Sequence, residues 1–161
     1  MSPSAKKTVL FVCTGNVCRS PMAAGLFYDK LVQNKMNERV RVRSAGVWAL
    51  EHQPASAYAR QVMSERDLDI SVHRGRNLSQ ADVDEADLVL VMTQLQADII
   101  ARDYQNSEEK LHLLADMAGE PHDIDDPYGG SLPEYRKTAA QLQDLIQRGY
   151  DTIMRRLGLG G

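Results

Sequence analysis

Residues 13–21 read Cys13-Thr14-Gly15-Asn16-Val17-Cys18-Arg19-Ser20-Pro21, CTGNVCRSP, between an apolar run, TVLFV (8–12), and a helical pattern, MAAGLFYDKL (22–31). The run through residue 13, closed by a Gly-Asn turn, reads as a strand, and the apolar spacing over 21–36 reads as a helix. The stretch is therefore a strand-to-helix turn. Such a turn aims several backbone N–H groups into one concavity, where the helix dipole adds partial positive charge. This is a cradle for a phosphate-sized anion. It lacks the G-x-x-x-x-G-K-[ST] pattern of nucleotide-binding loops and offers instead Arg19, whose planar fork can hold two oxygens at once.

Further along, 40–44 alternates as a second strand, 56–65 reads as a helix, 87–92 (DLVLVM) as a continuous apolar strand, 94–103 as a helix and 110–114 as a last strand. A long helix is expected over 133–157, opened by a capping box of Ser131 and Glu134. Strands alternating with helices imply an α/β fold whose parallel sheet is covered on both faces and takes its ligands beyond the carboxyl ends of the strands. Residues 13–20 sit at such an end. The least regular stretch, 115–130 (ADMAGEPHDIDDPYGG), is long for an unstructured loop, and such loops in compact domains are commonly functional.

The totals set bounds. A chain of 161 residues, 43% hydrophobic, is expected to form one domain over 1–161, with residues 1–7 flexible. A net charge of −3 from 19 basic and 22 acidic residues supplies no broad basic face for nucleic acid or membrane, so an anion site must be local. The apolar run after MSPSAKK is short of the ~7–15 residues of a secretory core, and no run is long enough to span a membrane. Two cysteines build no disulfide framework, so the expected compartment is the reducing cytoplasm.

Within the cradle, convergent amides, the helix dipole and Arg19 all favour negative charge on the Cys13 sulfur, which makes it a candidate nucleophile. Gly15 and Asn16 suit a tight loop because they tolerate positive φ. Ser20 is placed to cap the helix and donate toward the sulfur, with Pro21 at the first helical position. A lone cysteine at a strand end is more often a small core residue, but Arg, Ser and Pro at these offsets reverse that balance. The C-x4-C spacing excludes a redox CxxC pair, and His52, His73, His112 and His122 show no zinc-ligand spacing. Neither metal nor cofactor is expected.

The string VCTGNVCRSPMA resembles the signature of the low-molecular-weight protein tyrosine phosphatase family, a C-x5-R-S loop near the N-terminus. RSAGV, DISVHRGRNL, ADLVLVMT and DDPYGG are similar to family segments in the same order, so the resemblance covers most of the chain. It implies a four-stranded parallel sheet flanked by helices, with the phosphate-binding loop after the first strand. By motif position it implies Cys13 as nucleophile, Arg19 as phosphate-binding arginine and Asp126, followed by Pro127 and Tyr128, as general acid and base. Asp125 is then an ordinary solvated carboxylate. Thr14, Gly15, Asn16, Val17, Cys18, Arg19 and Ser20 would form the phosphate-binding loop, propped by Asn16, Ser20, Ser44 and His73. Cys18 would either pack beneath the loop or trap an oxidised Cys13 as a disulfide.

The implied activity is hydrolysis of a phosphorylated protein, with inorganic phosphate as product. The family also holds protein-arginine phosphatases and arsenate reductases. The reductases use a further downstream cysteine pair, which this chain lacks. Val17 stands where tyrosine phosphatases usually carry a large aliphatic residue and arginine phosphatases a threonine; it has the shape of threonine without the hydroxyl. SAGV, ADLVLVMT and DPYGGS resemble the arginine branch, and Gly129 leaves out a second aromatic after Tyr128. Trp48 falls where the family places aromatic specificity residues. The first expectation is a phosphotyrosine phosphatase, the alternative a phosphoarginine phosphatase, and the rival of another class an arsenate reductase or non-catalytic phosphate binder.

Overall fold

The computed structural model describes residues 6–160 of the chain. Along it run β1 (Lys7–Cys13), α1 (Arg19–Gln33), β2 (Val40–Gly46), α2 (Ala57–Ser64), α3 (Gln80–Glu85), β3 (Leu88–Val91), α4 (Gln94–Asp103), β4 (Leu111–Leu113) and α5 (Leu132–Arg156). The sheet is parallel throughout, in the order β2-β1-β3-β4. β1 and β3 are central and apolar at nearly every position, as strands covered on both faces must be.

Side chains along β1 alternate between the two faces. Val9, Phe11 and Cys13 join one buried cluster with residues of α1, α2 and α5. Leu10 and Val12 join a second with Val83 of α3 and Ile100 of α4. Helices thus cover both faces. From β1 the chain steps to β2 on one side and then crosses to β3 on the other, so the order reverses between β1 and β3. The carboxyl ends of those two strands flank the crevice where such sheets bind ligands.

Several local expectations need correction. Of the 1–7 stretch expected to be flexible, 1–5 lie outside the described residues, and Lys7 already pairs with Val40 as the first residue of β1. The helix expected over 21–36 starts at Arg19 and ends at Gln33; its N-cap is Cys18, with no side-chain cap bond. Ser20 therefore does not cap it, because its hydroxyl is engaged elsewhere. The Ser131 and Glu134 box is half formed: the Ser131 hydroxyl accepts the Glu134 N–H, with no reciprocal bond from the Glu134 side chain. Complete boxes stand at α3 (Ser79 and Asp82) and α4 (Thr93 and Gln96). The short α3 was not anticipated, and 115–130 opens with a 3-10 turn, Ala115–Ala118. No helix of the described residues is long and apolar enough to cross a membrane.

Candidate active site

The turn after β1 is held open from outside. The carbonyls of six consecutive residues accept hydrogen bonds. Five come from outside the loop: Cys13 from Val47 N–H (3.0 Å), Thr14 from Trp48 (3.0 Å), Gly15 from Leu50 (3.0 Å), Asn16 from the His73 ring Nε2 (2.6 Å) and Val17 from Ser56 (2.9 Å). The sixth, Cys18 from Met22 (3.1 Å), is the first bond of α1. A trans peptide sets each N–H opposite the preceding carbonyl, so turning the carbonyls outward turns the N–H groups of 14–19 inward. Asn16 N–H donates to Cys13 Sγ at 3.3 Å.

Asn16 closes the curve with φ of 60°, a state asparagine adopts more readily than most residues. Its side chain, fully buried, donates to Ser20 Oγ (2.8 Å) and Ser44 Oγ (3.1 Å) and accepts from the Arg76 N–H (3.0 Å). Ser20 Oγ lies 2.9 Å from Cys13 Sγ. The props expected of Asn16, Ser20, Ser44 and His73 therefore form one connected network behind the loop. Burial holds the His73 imidazole below its ordinary range; the Asn16 carbonyl opposes this, and the charges of Arg74 and Arg76 reinforce it. Gly46 at the end of β2 permits the close approach, since a Cβ there would stand 2.5 Å from the Thr14 carbonyl oxygen.

The opposite side of the loop has a second brace that sequence reasoning missed. Cys18 Sγ sits 3.2 Å from Tyr135 OH and 3.4 Å from Ser56 Oγ, and Ser56 Oγ donates to Tyr135 OH at 3.1 Å. Burial pushes the Cys18 thiol up, against the hydrogen bonds from Ser56 and Tyr135. Both cysteines are free. Ser56 had read only as a helix start, and nothing in the primary pattern joins Tyr135 to a residue 117 positions earlier.

Arg19, although charged, is 4% exposed. Its NH1 donates to the Ile124 carbonyl (2.7 Å), its NH2 lies 3.4 Å from Asp126 Oδ2, and its buried Nε has no partner among the described residues. The fork thus keeps a donor for an anion. Asp126 Oδ1 accepts the Tyr128 N–H (3.0 Å), which orients the carboxylate; its neighbour Asp125 is exposed.

Cys13, Thr14, Gly15, Val17, Cys18, Arg19, Trp48, Leu50, Asp126 and Tyr128 line one cavity of about 190 Å³. Trp48 (64% exposed) and Tyr128 (58%) stand at its mouth, and Leu50, not anticipated, completes the apolar wall. Trp48 and Leu50 are laced to the loop through the main-chain bonds above, so wall and cradle form one unit.

A cysteine in a loop whose carbonyls are bound from behind, a buried arginine and a carboxylate lining one cavity, all at the switch point of a parallel sheet, define a cysteine-dependent phosphatase. Residues 8–157 match the low molecular weight phosphotyrosine protein phosphatases, and the chain belongs to that family. It is 40% identical over 141 residues to a protein-arginine-phosphatase of Geobacillus stearothermophilus, covering 87% of this chain and 91% of that one. It is 38% identical over 151 residues to a probable low molecular weight protein-tyrosine-phosphatase, EpsP, of Ralstonia solanacearum, covering 94% and 96%. A solved structure of a YwlE arginine phosphatase mutant with a phosphorylated active site serine superposes with a TM-score of 0.86 at 35% identity, covering 93% of this chain and 99% of that one.

Proposed function

We propose that the chain hydrolyses phosphotyrosine in proteins, in the cytoplasm, through a phosphocysteine on Cys13. The observation that carries this reading is that the loop's carbonyls are bound from behind while the Asn16 amide donates to Cys13 Sγ, which leaves the loop amides for an anion, and that Asp126 lines the same cavity. Those amides and the Arg19 fork would bind the phosphoryl oxygens, whose charge they neutralise through the transfer. The Cys13 sulfur attacks phosphorus, the P–O bond to the tyrosine oxygen breaks, and Asp126 gives that oxygen its proton. Water then attacks phosphorus, Asp126 takes the water's proton, and the S–P bond breaks to release inorganic phosphate. The Ser20 hydroxyl, 2.9 Å from Sγ, steadies the sulfur as nucleophile and as leaving group.

The apolar wall of the cavity is Val17 of the loop with Trp48, Leu50 and Tyr128 beyond it, a surface suited to a phenyl ring. A guanidinium would ask for acceptors, and Asp126 is the one carboxylate among the described lining residues. The second reading, phosphoarginine, is favoured by the name of the Geobacillus relative and by the threonine-like shape of Val17.

Turnover of p-nitrophenyl phosphate tests the mechanism. It should persist in a chelator and drop about 10³-fold or more in Cys13→Ser, which corresponds to ~4 kcal/mol of barrier. Unchanged activity in that variant would refute the phosphocysteine. Parallel kcat/KM on phosphotyrosine and phosphoarginine peptides should favour phosphotyrosine in the parent and Val17→Ile, with Val17→Thr moving toward phosphoarginine. A parent that prefers phosphoarginine installs the second reading.

A further inference from the structure

Residues 92–96, the turn out of β3 together with the first turn of α4, touch both halves of the site. Gln96 is 1% exposed; its Oε1 accepts the N–H groups of Met92 (2.8 Å) and Thr93 (3.1 Å), and its Nε2 donates to Thr14 Oγ1 (3.2 Å). The turn is thereby fastened to the phosphate loop. On its other side the Met92 carbonyl accepts the Ile124 N–H (2.9 Å), and the Gln94 N–H donates to Asp123 Oδ1 (2.8 Å). Asp123 and Ile124 lie three and two residues before Asp126.

We propose that Asp123 is a positioning residue for the reaction: seated on the first amide of α4, it registers the segment carrying Asp126 against the phosphate loop through the Met92–Gln96 turn. The inference rests on the reading of Asp126 as the acid. Its physical basis is that Asp126 is 45% exposed and cannot be held by burial. Its register comes from what anchors the chain just before it. A carboxylate on the leading amide of a helix makes a charge-assisted bond that the helix dipole strengthens. Ile124 adds a fully buried side chain, and its carbonyl accepts from Arg19. Three residues span at most ~10 Å, so slack at 123 is felt at 126. Misplacing a catalytic group by about 1 Å can cost up to about 10²-fold.

The test compares kcat/KM for phenyl phosphate, whose leaving group needs the proton, with dinitrophenyl phosphate, whose leaving group does not. The proteins are the parent, Asp123→Ala, Asp123→Asn, Asp126→Asn and the Asp123→Ala/Asp126→Asn double variant. Asp126→Asn should lose activity selectively on phenyl phosphate. Asp123→Ala should show the same selectivity with a loss of about tenfold. Asp123→Asn should recover most of it, because the amide oxygen still accepts the Gln94 N–H. The double variant should match Asp126→Asn alone. A selective Asp126→Asn beside an Asp123→Ala that loses equally on both esters, or on neither, or that adds a further loss in the double variant, overturns the positioning role alone. An unselective Asp126→Asn overturns the acid assignment and the positioning role with it.

Discussion

Asn16 takes a left-handed backbone state that costs an ordinary residue about 1–2 kcal/mol, and its buried amide recovers this through Ser20, Ser44 and the Arg76 N–H. His73 completes the set by binding the Asn16 carbonyl. Because burial depresses the His73 imidazole, this residue binds fewer protons in the folded chain than in the unfolded one. Its contribution is then full above the ordinary histidine value of ~6.5 and is lost as pH falls through that value toward the lower folded one. Unfolding free energy measured in urea should decline between about pH 7 and pH 5, and the decline should be shallower in His73→Gln, which keeps a donor for Asn16 without titrating. Parallel profiles would show that the slope belongs to the carboxylates that parent and variant share.

At the scale of elements, α5 is pressed against the 3-10 turn at Ala115–Ala118. A Cβ on Gly149 would lie 2.9 Å from Met117 Cβ and 3.0 Å from its carbonyl carbon. In an open helix interior, glycine to alanine stabilises by about 0.5–1 kcal/mol. Here the overlap should cost about 1–3 kcal/mol, so Gly149→Ala is expected to lower Tm. A raised Tm would mean that the turn yields. α2 and α5 also reach the site through Ser56 and Tyr135, and α4 through Gln96; the helices act as struts for the loop as well as cover for the sheet.

For the whole molecule, an anion that binds the folded loop and not the unfolded chain must raise stability by mass action. Inorganic phosphate at about a hundred times its Kd should add about 2.7 kcal/mol, read as a rise in Tm over chloride at equal ionic strength. Arg19→Ala should flatten that response. An equal rise in both proteins would place the bound phosphate elsewhere.

The alternation of apolar strands and helices made the α/β order legible, because burial on both faces imposes continuous apolar runs that a one-dimensional pattern records. That Cys13 and Arg19 share one loop was legible from their spacing, and the resemblance pointed to Asp126 through Asp-Pro-Tyr; the structure places all three on one cavity. Of the two roles expected of Ser20, its hydroxyl does meet the Cys13 sulfur at 2.9 Å, but it does not cap α1, because sequence shows a helix start without showing which residue comes first in it. Tyr135, Ser56, Gln96 and Asp123 were silent, since each acts across a long stretch of chain and its residue type carries no mark of its partner. The sequence by itself determined the fold class and the strand-to-helix loop at residues 13–20, through local periodicity and local spacing. Only the tertiary structure decided which distant side chains hold that loop open and bring Asp126 to it, because those contacts exist only once the sheet and helices have packed.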